Sequence, residues 1–442
     1  MTHDTTTRRT FLQKTAAVTA AASTMTGVHV AAKSPPNRVR LGIIGCGGIM
    51  GHHVKGLVER QEQVTFAWLC DPDPAQMDVK EALIGNFQAS SPRRTHRYED
   101  VLADPNVDAV IIATPHHWHG PMTLHAIQQG KDVYIEKPLS HVFNEGPAII
   151  NAVRKHNTIL QHGSQMRSSP VTYKAEQLLN DGLIGDVMVA RAWTAESRQV
   201  VPPVPDSDPP SGVDYDRWLG PAPVRPFNKH RFHVSWRRFK DYANGEIGDD
   251  GIHDLDMARW GLGNQLLPSK VSARGGRMLL HGHSSDYPDN MVVSYEFPDG
   301  KVLLYENYPF TSYGIHGFDN GNVFYGTKGY MVFSRRGFFS VFLGPKNKPG
   351  PTQGEALRRQ RGYPEHMDNF LTAVRTREPI VRVDAEVAHL SCALVHFGNI
   401  AYETSSYLEF DAANGTFKDN LAANRMMGKS YRDPYGMSQP RA

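Results

Sequence analysis

Cysteine is nearly absent from this 442-residue chain, which has only Cys46, Cys70 and Cys392. Three thiols make no disulfide framework, so a hydrophobic core must hold the fold. Cys46 and Cys70 fall near the ends of neighbouring expected strands. A pair is conceivable there, although small buried hydrophobes are the favoured reading. A surplus of one charge is also missing: 48 Lys and Arg face 45 Asp and Glu, a net +3. Asp4, Arg8, Arg9 and Lys14 contribute +2 of this, so the chain after residue 32 carries about +1. That balance leaves no basic footprint for nucleic acid. Beyond residue 32 no apolar stretch is long enough to span a bilayer, and no internal repeat occurs. What remains is ordinary for a globular protein, with 40% apolar and 21% charged residues, and the length suits two or three domains around a large core.

The N-terminus is less ordinary. Arg8-Arg9 sits in Thr7–Lys14, an uncharged Ala- and Thr-rich run fills residues 15–32, and Val30-Ala31-Ala32 precedes Lys33. Twin arginine, mildly apolar run and small-residue cleavage site come in the order of a twin-arginine export signal. Residues 1–32 are therefore expected to be a leader that takes a folded protein to the periplasm or outside the cytoplasm. A disordered basic arm is the bland alternative. The run is too short and Thr-rich for a membrane helix.

From residue 38 to 138, strands and helices alternate. Val39–Ile44, Val64–Cys70, Val107–Ala113 and Val133–Ile135 read as strands, and 54–61, 74–83 and 121–129 as helices. Continuous apolar strands separated by helices predict a parallel, doubly wound sheet, here assigned to residues 33–160. Beyond it lie a helix over 145–156 and longer strands at Val187–Thr194, Val271–Arg277, Met291–Phe297, Val302–Tyr308 and Val323–Ser334. Pro298-Asp299-Gly300 and Gly326-Thr327-Lys328-Gly329 read as hairpin turns. Residues 161–415 are thus expected to form an α+β domain with an open, largely antiparallel sheet. Its helix over about 385–402 is expected to pack back on the first domain, its Pro-rich stretch 201–210 to be an exposed loop, and residues 416–442 to be an extended tail.

Leu41–Gly51 follows the first strand and opens a helix. Gly45 permits a tight turn, and Gly47 lets the backbone approach a pyrophosphate facing the helix N-terminus. Gly48, Ile49 and Met50 continue the same contact surface. The spacing departs from the simple fingerprint, because Met50 holds the third glycine position and Gly51 comes one later. Asp71 ends the second strand, where a carboxylate accepts hydrogen bonds from both ribose hydroxyls and repels a 2′-phosphate. That favours NAD over NADP. A sharp ligand-free turn is the alternative.

Glu136-Lys137-Pro138 ends a later strand, where doubly wound sheets place ligands. Lys137 can hydrogen-bond a substrate hydroxyl and help move its proton, with Pro138 suited to a constrained or cis turn that would aim it. A surface ion pair is the alternative. In Gly245–Trp260, Asp249 and His253 are four apart, so the carboxylate is expected to orient the imidazole and raise its pKa. An N-cap aspartate and a structural histidine are the competing reading. His116, His117 and His119 surround Trp118, but three imidazoles in four residues do not readily meet one ion, so no metal is expected. Gln165, Arg167 and Ser168 fall where the domains should meet, as substrate contacts or as a hinge network. Arg231, His233, Trp236 and Arg237 form a basic–aromatic group suited to clamping a sugar, with a packed loop as the even alternative; Tyr308 and Tyr313 are further candidates for that pocket.

Together, Gly45–Gly51, Asp71, Thr114–His119, Glu136-Lys137-Pro138 and Asp249–Asp256 resemble the Gfo/Idh/MocA oxidoreductases, relatives of glucose–fructose oxidoreductase and inositol dehydrogenase, over roughly residues 38–410. Asp214–Pro223 and Trp236-Arg237 are similar to the exported branch with twin-arginine leaders. The resemblance implies a nicotinamide domain followed by an α/β domain whose open sheet supports a dimer or tetramer. It also implies Lys137, Asp249 and His253 as the catalytic set, Glu136 contacting the cofactor ribose or positioning the lysine, and Thr114, Pro115 and His119 along the nicotinamide. The expected activity is NAD-dependent hydride transfer with a sugar, cyclitol or related polyol. Free NAD is scarce outside the cytoplasm, so a tightly held, recycled cofactor is expected. The rival readings are an NAD-dependent glycosidase using transient oxidation and a non-catalytic sugar-binding protein.

Overall fold

The structure, a computed structural model, describes residues 37–437 except 197–200, 234, 279–281, 283, 309–313, 354–361 and 381. The expected leader and Tyr313 lie outside the described residues. Six short strands make the first sheet: β1 Val39–Ile44, β2 Val64–Cys70, β3 Arg93–Thr95, β4 Ala109–Ile112, β5 Asp132–Ile135 and β6 Leu160–His162. All pair in parallel, in the order β3-β2-β1-β4-β5-β6. Every residue of β4 and β5 is buried, as strands covered on both faces must be. The order reverses between β1 and β4, and that crevice is where such sheets take ligands. Because β6 belongs to this sheet, it crosses the boundary expected at residue 160.

Two helices begin earlier than their apolar periodicity predicts. Gly48–Val58 starts inside the glycine turn, where glycines carry no side-chain pattern. His116–Gln128 contains Pro121 rather than beginning at it. Proline leaves the carbonyl four residues back without its helical partner, and here His117 O accepts from Lys429 Nζ at 3.2 Å.

The remaining strands are β7 Val187–Thr194, β8 Lys270–Gly276, β9 Asn290–Glu296, β10 Val302–Asn307, β11 Asn320–Gly326, β12 Gly329–Ser334, β13 Phe338–Leu343, β14 Lys348–Gln353, β15 Leu408–Asp411 and β16 Thr416–Phe417. They form a ten-stranded sheet, β14-β13-β12-β11-β7-β10-β9-β8-β15-β16. It is antiparallel apart from the β7–β10 pair. The turns expected at Gly300 and at Gly326–Gly329 join β9 to β10 and β11 to β12. Helices Gly251–Gly261 and Ala385–Thr404 cover one face, and the second also contacts Glu145–His156 and β6, so it does pack back on the first sheet. The chain after Gly415 is not an extended tail. It forms β16 and the helix Leu421–Met426, and buries Phe417, Ala423, Met427 and Tyr435. Its anchors are scattered among polar residues, so no hydrophobic period announces them. Cys46, Cys70 and Cys392 are free and buried.

Candidate active site

The site begins at the turn after β1. Gly45 has φ +85°, and a Cβ there would lie 2.7 Å from the Ala113 carbonyl group. Only glycine allows this left-handed turn so close to the β4 chain. Gly47 caps the helix Gly48–Val58 without any side-chain hydrogen bond, and a Cβ on Gly47 or Gly48 would meet nothing within 4 Å. The helix start therefore presents uncapped N–H groups to open space, which suits a pyrophosphate. Asp71 accepts from Cys46 N at 2.7 Å and Asp73 N at 2.8 Å. Burial pushes its pKa up to about 6, against those two bonds.

A cavity of about 590 Å³ runs from this turn to the end of β5. Gly45, Gly47, Gly48, Ile49, Asp71, Thr114, Pro115, Glu136, Lys137, Trp236, Arg237 and Asp249 line it. Residues separated by two hundred positions are thus brought to one space, and a dinucleotide fits the chemistry of its lining.

At the far end, Lys137 follows β5 and its peptide bond to Pro138 is cis. Lys137 Nζ bonds Asp249 Oδ1 at 2.8 Å and also donates to the Asp249 carbonyl. Arg237 Nε donates to the same Oδ1 at 3.0 Å, with its guanidinium 4.4 Å from the Trp236 ring centre. Burial opposes ionisation of Asp249, yet Lys137 and Arg237 hold its carboxyl well below the usual range. Glu136 faces His53 Nε2 at 2.8 Å; burial works against its charge, but His53 brings its pKa down to about 2.

Asp249 and His253 do not form the expected pair. Asp249 ends a short helix, Gly245–Asp249, and a new one starts at Gly251. The break at Asp250 removes the shared face that a spacing of four implies. The imidazole's pKa is lowered rather than raised, to about 3, first by burial and then by Arg335 and Lys137. His253 lies outside the cavity lining, buried within electrostatic reach of Lys137, Glu136 and Asp250.

Other expected contacts are also placed differently. Met50 is fully buried in the core beneath its helix and does not line the cavity. His119 braces two loops, with its ring nitrogens 2.5 Å from Pro138 O and 2.8 Å from Thr114 O. His116 lines the cavity in its place, against Asn244 Oδ1 at 3.2 Å, while His117 meets Trp218 O at 3.1 Å. The three imidazoles therefore point to separate partners. Arg231 turns away to Asp206 and Pro226 O. Arg167 makes a two-pronged pair with buried Asp256 at 2.7 and 2.8 Å, and Gln165 is buried with Oε1 unpartnered. Arg167 is thus tied to the helix Gly251–Gly261, and neither residue lines the cavity.

Arg217, Trp218 and His233 also line the cavity. The sequence offers them only as a basic–aromatic loop or through a resemblance, because their anchors are distant in sequence. Asp214 N donates to Pro72 O at 2.9 Å, His233 Nε2 meets Asp73 Oδ2 at 2.9 Å, and Trp118 Nε1 donates to Trp218 O at 3.2 Å. Among the described residues no helix is long and apolar enough to cross a membrane.

Residues 39–164 match the family model for an oxidoreductase family with an NAD-binding Rossmann fold, and residues 191–309 with 351–437 match the C-terminal alpha/beta domain of the same family. The chain belongs to the Gfo/Idh/MocA oxidoreductase family. Its Rossmann domain is the family's NAD-binding domain. The scyllo-inositol 2-dehydrogenase (NAD(+)) of Bacillus subtilis is 28% identical over 266 residues, 60% of this chain and 65% of that enzyme. The chain thus matches less than two thirds of that relative's length. The levoglucosan dehydrogenase of Pseudarthrobacter phenanthrenivorans is 25% identical over 355 residues, 71% of this chain and 82% of the relative. A levoglucosan dehydrogenase structure with NADH and levoglucosan superposes with a TM-score of 0.65 at 19% identity, covering 84% of this chain and 99% of the other. That likeness supports the Gfo/Idh/MocA fold, with its Rossmann sheet and mostly antiparallel second sheet.

Proposed function

We propose that this protein is an exported, NAD-dependent oxidoreductase that moves hydride between a retained cofactor and a hydroxyl carbon of a sugar, cyclitol or related polyol. The observation that carries this reading is the cavity joining the glycine turn and Asp71 to Lys137 and Asp249. Gly45–Ile49 and Asp71 would hold the dinucleotide, with Thr114, Pro115 and Glu136 toward its nicotinamide end. When bound, NAD supplies the hydride acceptor. Asp249 and Arg237 fix the direction of Lys137 Nζ, which donates a hydrogen bond to the substrate hydroxyl and orients it. His253, near Lys137, is assigned the hydroxyl proton, which it takes as the hydride leaves. Trp236 and Arg237 offer a stacking face and donors to a sugar.

The same cavity supports retention. Arg217, Trp218 and His233 enclose it from the second domain and are tied to residues 72–73 and Trp118. Arg432 bonds Gly220 O at 2.7 Å and also Asp216, so the C-terminal segment fastens this wall. Retention suits the export expected from Arg8-Arg9. Val292 and Tyr325, exposed on the sheet face opposite Tyr295 and Phe324, favour a homo-oligomer through that face.

The deciding experiment denatures protein purified without nucleotide and identifies the released cofactor by mass spectrometry. Near-stoichiometric NAD(H) is expected, and an empty protein refutes retention. Turnover is then measured on scyllo-inositol, levoglucosan and glucose. Lys137→Ala and His253→Ala should each lose about 10²–10⁴-fold in turnover, the usual contribution of acid–base groups, while keeping NAD. Full activity in both variants refutes the assignment. Aglycone release without net NADH would identify the glycosidase reading instead.

A further inference from the structure

Arg335 follows β12 and is buried, yet it belongs to neither the nucleotide contacts nor the cavity wall. Its Nε donates to Asp254 Oδ1 at 3.1 Å and its Nη2 to Asp250 Oδ1 at 3.2 Å. Those two acids flank His253. Asp250 is the N-cap of the helix Gly251–Gly261 and makes no side-chain capping bond. Its carbonyl accepts from His253 N at 3.1 Å. Asp254 is fully buried, with Oδ2 on Thr194 Oγ1 at 3.2 Å and its carbonyl on Asn322 Nδ2 at 2.8 Å. The helix can approach the sheet because Gly251 has no side chain, since a Cβ there would lie 2.3 Å from the Tyr305 hydroxyl. One guanidinium from the sheet therefore grips the first helical turn on both sides of His253 in the sequence.

We infer that Arg335 is a positioning residue. It clamps Asp250 and Asp254 and fixes the turn that carries His253, and its charge acts against a proton on the imidazole. This inference rests on the reading of His253 as the proton acceptor. The charges acting on His253 are Arg335 after β12, Lys137 and Glu136 after β5, and Asp250 at the N-cap of its own helix. Arg336, the next cation, is occupied by Glu196 at 2.5 Å and Asp319 at 2.8 Å. Burial is the first cause of the low proton affinity of His253, and Arg335 is the largest charge effect. Without Arg335, only Lys137 and burial oppose the pull of Asp250 and Glu136, so proton affinity rises.

The test reads the imidazole directly and needs no substrate. The full-length protein is labelled at histidine Cε1, and the His253 signal is assigned by its loss in His253→Gln. Between pH 7 and about 4.5 the wild-type signal should not titrate, as for a histidine far below its ordinary value. In Arg335→Met the signal should begin to titrate inside that window, a rise of a unit or more in the midpoint and at least tenfold in proton affinity. Arg335→Lys, which keeps the charge but not the fork, should stay near wild type in titration while losing turnover. Arg335→Met leaves Asp254 buried without its cation, so Arg335→Met/Asp254→Asn is run beside it as the folded variant and should show the same rise. An unmoved His253 in both neutral variants overturns the inference, even if turnover falls. Should the wild type oxidise no sugar, the titration still decides the role of Arg335, separately from the proposed reaction.

Discussion

Gly45 and Gly47 are glycines for opposite reasons. Gly45 sits at φ +85° against the Ala113 backbone, whereas Gly47 faces open space. Gly45→Ala should therefore lose stability, by at least the ~1–2 kcal/mol of a left-handed L-residue. Gly47→Ala should melt as the NAD-free wild type and lose NAD, because its methyl takes room that the pyrophosphate needs. Melting curves and cofactor content separate the two; equal loss of NAD at unchanged melting temperature would remove the distinction. Asp71 adds a pH signature. Its pKa is raised to about 6, and the ionised form is the one that accepts two ribose hydroxyls. NAD affinity should fall as pH drops through about 6, approaching tenfold per unit for one proton, and Asp71→Asn should show no such slope. These residues were legible in the sequence because a turn, a strand end and an acid fall within about thirty positions. The partner of Asp249 was not. Lys137 lies 112 positions away, and the helix break at Asp250 cancels a local spacing that pointed to His253.

At the scale of elements, the strands were readable because their apolar runs are short, β-branched and bounded by turns; β1, β2 and β7 begin and end where the sequence predicts. Helix starts were less readable where glycine or proline hides the period, and the C-terminal segment not at all. Pro121 shows the physics, since its helix persists because Lys429, three hundred residues later, takes up the freed carbonyl. The joint between elements is the Arg167–Asp256 pair, with Ser391 Oγ on Asp256 Oδ1 at 2.6 Å. It connects the residues after β6 to helices Gly251–Gly261 and Ala385–Thr404. Breaking one side of a buried pair leaves an uncompensated charge and typically removes about 3–5 kcal/mol. Arg167→Met should be destabilised on that order, and Arg167→Met/Asp256→Asn should recover much of it. Neither should alter the KM for sugar, the quantity a substrate-contact role would change. Denaturant unfolding together with initial-rate kinetics distinguishes hinge from contact.

The whole molecule folds around imidazoles held neutral. Burial is the first cause lowering His117, His253 and His396 to about 3, and His162, His366 and His389 to about 4. Their ordinary value is 6.5, so the folded chain binds fewer protons than the unfolded chain between roughly pH 4 and 6.5. Stability must then rise with pH across that window. The contribution is complete above 6.5 and is lost as pH falls toward the folded values. Glu136 and Asp256 behave differently. Both are lowered to about 2 although burial opposes their charge. Their contribution is present above about pH 4.5 and disappears only below it, so it cannot produce a transition near pH 5. Asp71 and Asp254, raised by burial to about 6 and about 7, oppose the histidines, since their neutral forms favour the folded state at low pH. The lowered imidazoles, with His116, His119 and His141 also among them, outnumber the raised carboxyls Asp71, Asp241 and Asp254. The melting temperature should therefore hold steady above pH 7 and fall from about pH 6.5 to 4, with a slope reporting more than one proton. His396→Gln, which removes one buried imidazole bonded to Ser140 Oγ at 3.1 Å, should make that slope shallower. Calorimetry across the range measures both, and a melting temperature flat down to pH 5 would mean that the buried histidines do not govern the acid limb.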